Sequence, residues 1–250
     1  MQLLPLHFAR LMKRSGTIGV VIALCQEART LARELDDGGN ITHSEGRLLV
    51  CVGGIGAARA RSAAQRLLSD GASALLSWGV AAALVPDLKA GSLLVPTAVI
   101  DADRALLPVS GAWRRRIDSP ATLDARPIAE VRSMLHTPAQ KHALGKSLQA
   151  AAADMESAAV ARIAQQAQVP FLAVRAIVDE ASMAVPTWLM SCMDDQGRVD
   201  VARVAGQLLR HPRDAIDVSR LARGFRAARA TLREFSAHHL QQLLVGPGGP

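Results

Sequence analysis

From Thr17 onward the chain alternates short, almost wholly apolar runs with stretches whose apolar residues recur every three or four positions. TIGVVIAL (17–24) predicts a buried strand, and QEARTLARELDD (26–37) predicts a helix with Leu31 and Leu35 on one face. GRLLVCVGGIG (46–56) reads as a second strand running into a glycine-rich turn, and AARARSAAQRLLSDG (57–71) as a helix ending near Gly71. ASALLSWGVAAAL (72–84) predicts a third strand and turn, and GSLLVPTAVI (91–100) a fourth strand. Strands that are apolar throughout and alternate with helices imply an α/β domain whose largely parallel or mixed sheet is covered on both faces.

Residues 101–150 are less regular and read as surface loops with one short strand. EVRSMLHT (130–137) predicts a further strand, and TPAQKHALGKSLQAA (137–151) a helix entered at Thr137 with Pro138 in its first turn. The segment ADMESAAVARIAQQAQVPFLAVRAIVDEA (153–181) divides into a helix over 155–168 and a strand over 170–178. Past Ser182 a Met, Trp and Pro loop leads to helices near 199–209 and 214–244, and VGPGGP (245–250) is too rich in Gly and Pro to hold structure. The expected organisation is a single domain over 1–250: an N-terminal extension (1–15), a core (16–182), a helical C-terminal part (183–244) and a flexible tail.

Composition narrows the functional classes. Half of the 250 residues are apolar, enough for a sizeable core, and 29 Lys and Arg against 22 Asp and Glu give a formal charge of +7, concentrated toward the ends. Cys25, Cys51 and Cys192 show no CxxC spacing, which argues against a disulfide framework or zinc site and for a reducing cytoplasm. The N-terminus MQLLPLHFARLMKRSG has its charges after its apolar residues, unlike a signal peptide, and no apolar run is long enough to span a bilayer. The histidines are scattered without metal-site spacing, so neither a metal nor a cofactor is expected. With no Tyr and few other aromatics to stack bases, nucleic acid is a poor partner.

In a sheet of this kind ligands bind beyond the carboxyl ends of the strands. The residues there are Glu27 with Arg29, the Gly53-Gly54-Ile55-Gly56 turn, Gly79 to Ala83, and Asp179 with Glu180; Glu156, at a helix start, reaches the same crevice. Each has an ordinary structural explanation as well. Glu27 suits a helix N-terminus, GGIG suits a tight turn, and Asp179 suits a cap. GGIG lacks the third spaced glycine of a dinucleotide fingerprint, and Ser157 lacks the GxSxG setting of a serine hydrolase. Asp179 stands apart in following a run of almost wholly apolar residues, where desolvation would let it keep a proton.

Together IGVVIALCQEARTL, GGIGAARA, WGVAAALVPDLKAGSLLVP and above all ADMESAAVARIAQQAQVPFLAVRAIVDEA resemble the purine nucleoside phosphorylase and nucleosidase superfamily, on its methylthioadenosine/adenosylhomocysteine nucleosidase side. The likeness runs from about Thr17 to Ser182. The remainder, with PTWLMSCMDDQGRVD, LLRHPRDA and RLARGFRAARATL, is similar to the hopanoid-associated phosphorylases. The resemblance implies a three-layer α/β/α fold, a homo-oligomer, and cleavage of an adenine–ribose bond, with adenosylhopane as substrate. Methylthioadenosine/adenosylhomocysteine hydrolysis is the alternative, and a non-catalytic nucleoside-binding or scaffold protein of a lipid pathway is a third. Carried over by residue, it assigns Asp179 to protonating the purine near N7, Glu156 to the ribose hydroxyls, Met155 to packing on the sugar, and Glu27 to activating water. Gly54, Gly56, Gly79 and Val178 fall in the implied binding site, and Phe171 reads as core. Arg29, Arg59 and the GGIG backbone are the candidate ligands should phosphate replace water. Two positions depart from the family pattern: Ala82-Ala83 stands where Gly-Gly is usual, and Val178 where Ser commonly precedes the acid.

Arg220, Arg223, Arg226, Arg229 and Arg233 recur at helical spacing and form a basic stripe, with Leu221, Phe225 and Leu232 elsewhere on the same helix. Such a stripe is either a solvated helix face or, with the apolar and basic N-terminus, a peripheral contact with anionic lipid.

Overall fold

The structure, a computed structural model, describes residues 16–31, 42–44, 48–117, 124–194 and 198–244. Two apolar runs form the fully buried strands β1 (Ile18–Ile22) and β3 (Leu48–Val52), separated by the one-turn helix α1 (Cys25–Ala28) and by β2 (Thr42–Ser44). Helix α2 (Ala57–Ser69) leads to the long strand β4 (Ala74–Ala83), then β5 (Leu93–Leu94), β6 (Ala98–Ile100), β7 (Leu106–Pro108), α3 (Gly111–Arg116) and β8 (Ile128–Glu130). Next come α4 (Pro138–Leu148), β9 (Ala152–Asp154), α5 (Ser157–Gln166) and β10 (Phe171–Asp179). Helices α6 (Val201–Arg210) and α7 (Ala215–Leu244) complete the chain, with short 3-10 turns at Leu189–Cys192 and Pro212–Asp214.

The ten strands among the described residues belong to one mixed sheet, ordered β2-β3-β1-β4-β9-β8-β6-β7, with β10 branching from β4 and β5 paired to β10. Strand β4 lies parallel to β1 and to β10, and its last two residues turn to a third neighbour: Ala82 and Ala83 pair antiparallel with Ala153 and Ala152 of β9. At Ala82 the sheet therefore forks, with Asp179 of β10 on one side and Ala153 of β9 on the other.

Alternation along the strands builds the two faces. Val21, Leu49, Leu75 and Ala173 point into a cluster with Ala60, Ala64 and Leu67 of α2 and Ala159 of α5. Val20, Val50, Leu76 and Val174 point the other way, into a cluster with Ala228, Leu232 and Phe235 of α7. The result is the expected helix, sheet, helix sandwich.

Several expectations need correction. Ala82-Ala83 is not a turn but the end of β4, because β9 offers it a partner. That strand is only three residues long, too short to stand out by periodicity, and it takes Ala152–Asp154 away from the helix, which begins at Ser157 with Glu156 as its N-cap. Asp179 is the last residue of its strand and does not lie beyond it. GSLLVPTAVI is two strands, divided at Pro96, whose ring nitrogen has no hydrogen to give a ladder. EVRSMLHT contributes only Glu130 to a strand, and WRRR, read as loop, lies in α3 behind a Ser110 cap. The helix after Glu27 closes at Ala28 with turns to Leu31, and Leu35 lies outside the described residues, as do the N-terminal extension and the tail. Cys25 opens that helix.

Gly224 fixes how the C-terminal helix meets the sheet. Pairing shifts at Val178, between Ile177 and Asp179, and the Val178 carbonyl is so close to α7 that a Cβ at Gly224 would lie 1.9 Å from its oxygen. Alanine is the better helix former by about 1 kcal/mol, so Gly224→Ala would stabilise an isolated α7. We expect the substitution instead to lower the unfolding free energy in denaturant titration, because α7 or the β10 bulge must move; an increase would contradict this packing.

Candidate active site

Three buried carboxylates stand around the end of β4. Glu27 sits in α1, immediately beyond β1, and accepts the N–H of Leu24 at 3.0 Å through Oε2 and that of Val80 at 2.9 Å through Oε1. The second bond ties it to β4 two residues before the fork. Gly79 makes room for it, since a Cβ there would lie 2.8 Å from Glu27 Oε1. Burial pushes the Glu27 carboxyl up to about 7, against the opposing charge of Arg175 and its backbone hydrogen bonds.

Glu156 joins β9 to α5, and its Oε1 accepts the N–H of Gly56 at 2.7 Å while Oε2 takes that of Met155 at 3.3 Å. Gly54 and Gly56 hold φ of 93° and 100°, so the turn that aims this N–H depends on glycine at both positions. Burial raises the Glu156 carboxyl to about 7, helped by the charges of Asp154 and Glu27 and opposed by Gly56 and Arg175. Glu27 and Glu156 thus lie within one electrostatic neighbourhood.

Asp179 ends β10, and its Oδ2 meets Lys141 Nζ at 2.5 Å. Desolvation raises its carboxyl and the Lys141 charge pulls it back, with desolvation the larger. Sequence reading missed Lys141, which lies in a helix whose pattern says little about its inward face.

It missed Arg175 too. This arginine is buried in mid-strand, where its Nε meets Asp154 Oδ2 at 2.5 Å and its Nη2 donates to Ser77 Oγ at 2.6 Å. Asp154 also accepts the N–H of Ser157 at 3.0 Å and the Ser157 hydroxyl. Asp154, an apparent neighbour of Glu156 without chemistry of its own, is therefore the counterion of a buried cation. An arginine inside FLAVRAIVD was the one available signal, since a charge there requires a buried partner.

Of the remaining candidates, Met155 is half-buried beside Glu156, and Val178 stands at the bulge before Asp179. Phe171 is in the core. Arg29 is exposed at the end of α1 and Arg59 half-buried in the first turns of α2. Glu180 faces away, toward Lys89 at 3.4 Å. A cavity of about 480 Å³ lies on that outer side, between Val178, Glu180, Met183 and the α7 residues Arg220, Arg223 and Gly224, and none of the three carboxylates lines it. Among the described residues, no group of His, Cys, Asp or Glu could hold a metal ion, and no helix is long and apolar enough to cross a membrane.

A family model, the phosphorylase superfamily, matches residues 17–209, and the chain belongs to that superfamily. Among solved structures it is similar to the 5'-methylthioadenosine/S-adenosylhomocysteine nucleosidase of Helicobacter pylori, at 20% identity and a TM-score of 0.69, covering 91% of this chain and 98% of that one. The futalosine hydrolase of H. pylori matches at 18% identity and 0.66, covering 91% and 97%. The Neisseria meningitidis methylthioadenosine/adenosylhomocysteine nucleosidase matches at 19% and 0.66, covering 91% and 100%. At these identities the likeness to each structure is one of fold. No curated protein matches the chain.

The raised carboxyls make stability depend on pH in a defined direction. Glu27 and Glu156 bind protons more tightly folded, near 7, than at their ordinary 4.5, so their contribution is complete below about 4.5 and is lost as pH rises through about 7. Asp87 and Asp124 are lowered from 3.8, and their contribution is lost only in stronger acid. We expect the unfolding free energy to fall between about pH 5 and pH 8, with a slope of up to about 1.4 kcal/mol per pH unit for each raised group. Equilibrium denaturation across that range checks this, and stability that rose toward pH 8 would contradict it.

Proposed function

We propose that this single-domain protein cleaves the N-glycosidic bond of an adenine nucleoside. The observation that carries the reading is the gathering of Glu27, Glu156 and Asp179, from three separate strand ends, around the last residues of β4. Breaking this bond puts positive charge on the ribose and negative charge on the base, so it needs an acid for the base, an anion near the sugar and a positioned nucleophile. Asp179, in its protonated form, gives its proton to the purine near N7 as the C–N electron pair passes to the base. Glu156 binds the ribose hydroxyls, with Met155 packed on the sugar and Gly54, Gly56 and Gly79 admitting the ligand. Glu27 takes a proton from the water that attacks the anomeric carbon, leaving adenine and the free sugar. The proton gained at Glu27 balances the one lost by Asp179.

A buried carboxylate at the nucleophile position favours water over a phosphate dianion, which it would repel. Arg29 and Arg59 are the residues that would serve phosphate instead. The proposed substrate is adenosylhopane, with methylthioadenosine and adenosylhomocysteine as the smaller alternatives in the same pocket. Ala82 stands between Asp179 and Ala153 as a strand residue, and its methyl narrows the space that glycine would leave.

Incubating the protein with each nucleoside, with and without phosphate, and identifying the sugar by mass tests substrate and nucleophile together. We expect free sugar, adenine release reduced at least about a hundredfold by Asp179→Asn, and a rate that rises through about pH 7 as Glu27 ionises. A phosphorylated sugar would transfer the nucleophile to phosphate. Release of no adenine from any of the three would leave the nucleoside-binding or scaffold reading, and a near-full rate in Asp179→Asn would remove the proton donor.

The same reading places the protein, as a homo-oligomer, at the inner membrane surface, and α6 supports this better than the stripe on α7. Val201, Ala205 and Leu209 recur every four residues and all face solvent, Val201 at 75% and Leu209 at 86% exposure, and Ile216 follows at 64%. Around them the exposed Arg203, Arg210, Arg213, Arg220 and Arg223 outnumber Asp200, Asp214 and Asp217. On α7 the stripe is broken, because Arg229 is half-buried against the Phe225 ring, with 6.0 Å to the centroid. We expect sedimentation with vesicles containing phosphatidylserine, little with neutral vesicles, and loss of binding in Leu209→Glu. Equal sedimentation of that variant would contradict this surface.

A further inference from the structure

Lys141 is completely buried, and the local structure that puts it inside is well defined. Thr137 caps α4 by accepting the N–H of Gln140 at 3.2 Å, while Gln140 Oε1 accepts the N–H groups of His136 and Thr137 at 2.9 and 3.1 Å. Gly145, one turn beyond Lys141 and on the same face, brings the helix against the end of β4, since a Cβ there would lie 2.9 Å from Leu84 Cβ and 3.0 Å from its carbonyl oxygen. From this position Lys141 Nζ reaches Asp179 Oδ2 at 2.5 Å and the carbonyls of Glu180 and Met183 at 2.9 and 2.8 Å.

Three acceptors match the three N–H groups of an ammonium. Nζ gives one of them to Oδ2, which leaves the other carboxyl oxygen, Oδ1, outside this contact. Elsewhere this contact would be a structural ion pair, but here it falls on the one oxygen pair proposed to handle the leaving base.

We infer that Lys141 is a positioning residue for Asp179, occupying Oδ2 so that Oδ1 is presented to the base, and locking the chain that follows through the Glu180 and Met183 carbonyls. The inference rests on the proposed role of Asp179. Val178, as the preceding residue, has no polar side chain to give, so the task falls to α4. Other charges near this strand end point elsewhere: Glu180 pairs with Lys89, Arg220 and Arg223 of α7 border the outer cavity, and His136 Nδ1 meets the Val185 carbonyl at 3.1 Å. Among the described residues, Lys141 is thus the charge set directly on the acid. Its ammonium favours the ionised carboxylate and so offsets part of the effect of burial, leaving a proton that is held yet can be given up.

The test compares wild type with Lys141→Met, Lys141→Arg and Gly145→Ala. Carbon-13 NMR of labelled aspartate, with the Asp179 signal identified by Asp179→Asn, follows the carboxyl without turnover. We expect its midpoint to rise by about one pH unit or more in Lys141→Met and to stay near the wild-type value in Lys141→Arg. Adenine release from 5'-methylthioadenosine should show the alkaline limb moving upward in Lys141→Met, with kcat falling about tenfold or more and KM changing little. Gly145→Ala, which displaces α4 but keeps the charge, should lower kcat less and is the variant to read if Lys141→Met does not fold. A folded Lys141→Met whose Asp179 midpoint is unmoved, or a Gly145→Ala with wild-type kcat, overturns the inference. If Asp179→Asn itself keeps the rate while the midpoint still moves with Lys141, the proposed acid fails and the pair is structural.

Discussion

The buried Arg175 is the charge on which this site depends. It sits on β10, binds Asp154 on β9 and Ser77 on β4, and so links the strands that separate at Ala82. A guanidinium in a dry interior is tolerated only with its donors filled, and removing one partner of such a pair costs about 3–5 kcal/mol. Its positive charge also acts on Glu27 and Glu156, where it opposes the desolvation that drives both toward the neutral form. One cation therefore holds the fork together and moderates the two acids in front of it.

Concentrating carboxyls in a desolvated crevice works against stability, and the fold compensates with backbone hydrogen bonds. Glu27 draws N–H groups from Leu24, the cap of α1, and from Val80 of β4, and Glu156 draws one from the glycine turn. These donors orient the acids without neutralising them, which suits groups that exchange protons near neutrality. Asp179 is treated differently, meeting the full charge of Lys141. The division is chemically sensible if two acids act as anions toward sugar and water and the third as a proton donor toward the base.

The C-terminal part encloses this arrangement from outside. Helix α7 packs on the sheet through Leu232 and Phe235 and comes closest at Gly224, beside the bulge that precedes Asp179. Helix α4 approaches from the other side through Gly145. Both contacts need the absence of a side chain at a single residue, Gly224 against the bulge in β10 and Gly145 against Leu84 just past β4. Helix α6 contributes no buried residue, and its apolar row remains open to solvent.

Apolar runs and helical spacing were enough to find β1, β3, β4, α2, α5, β10 and both C-terminal helices, although α6 turns its apolar row to solvent. Glu27 and Asp179 were visible because each follows an apolar run, and Glu156 because it opens a helical pattern. Short strands such as β9 and β2 were invisible, since three residues carry no period and are strands only because a neighbour pairs with them. By itself the sequence determined the layered fold and the acids that could meet at its edge. Only the tertiary structure decided that β4 forks at Ala82, that Arg175 belongs to Asp154, and that Lys141 belongs to Asp179. Each of those pairings joins residues distant in the chain, and desolvation, which makes an unpaired buried charge so costly, acts only once the core has closed around them.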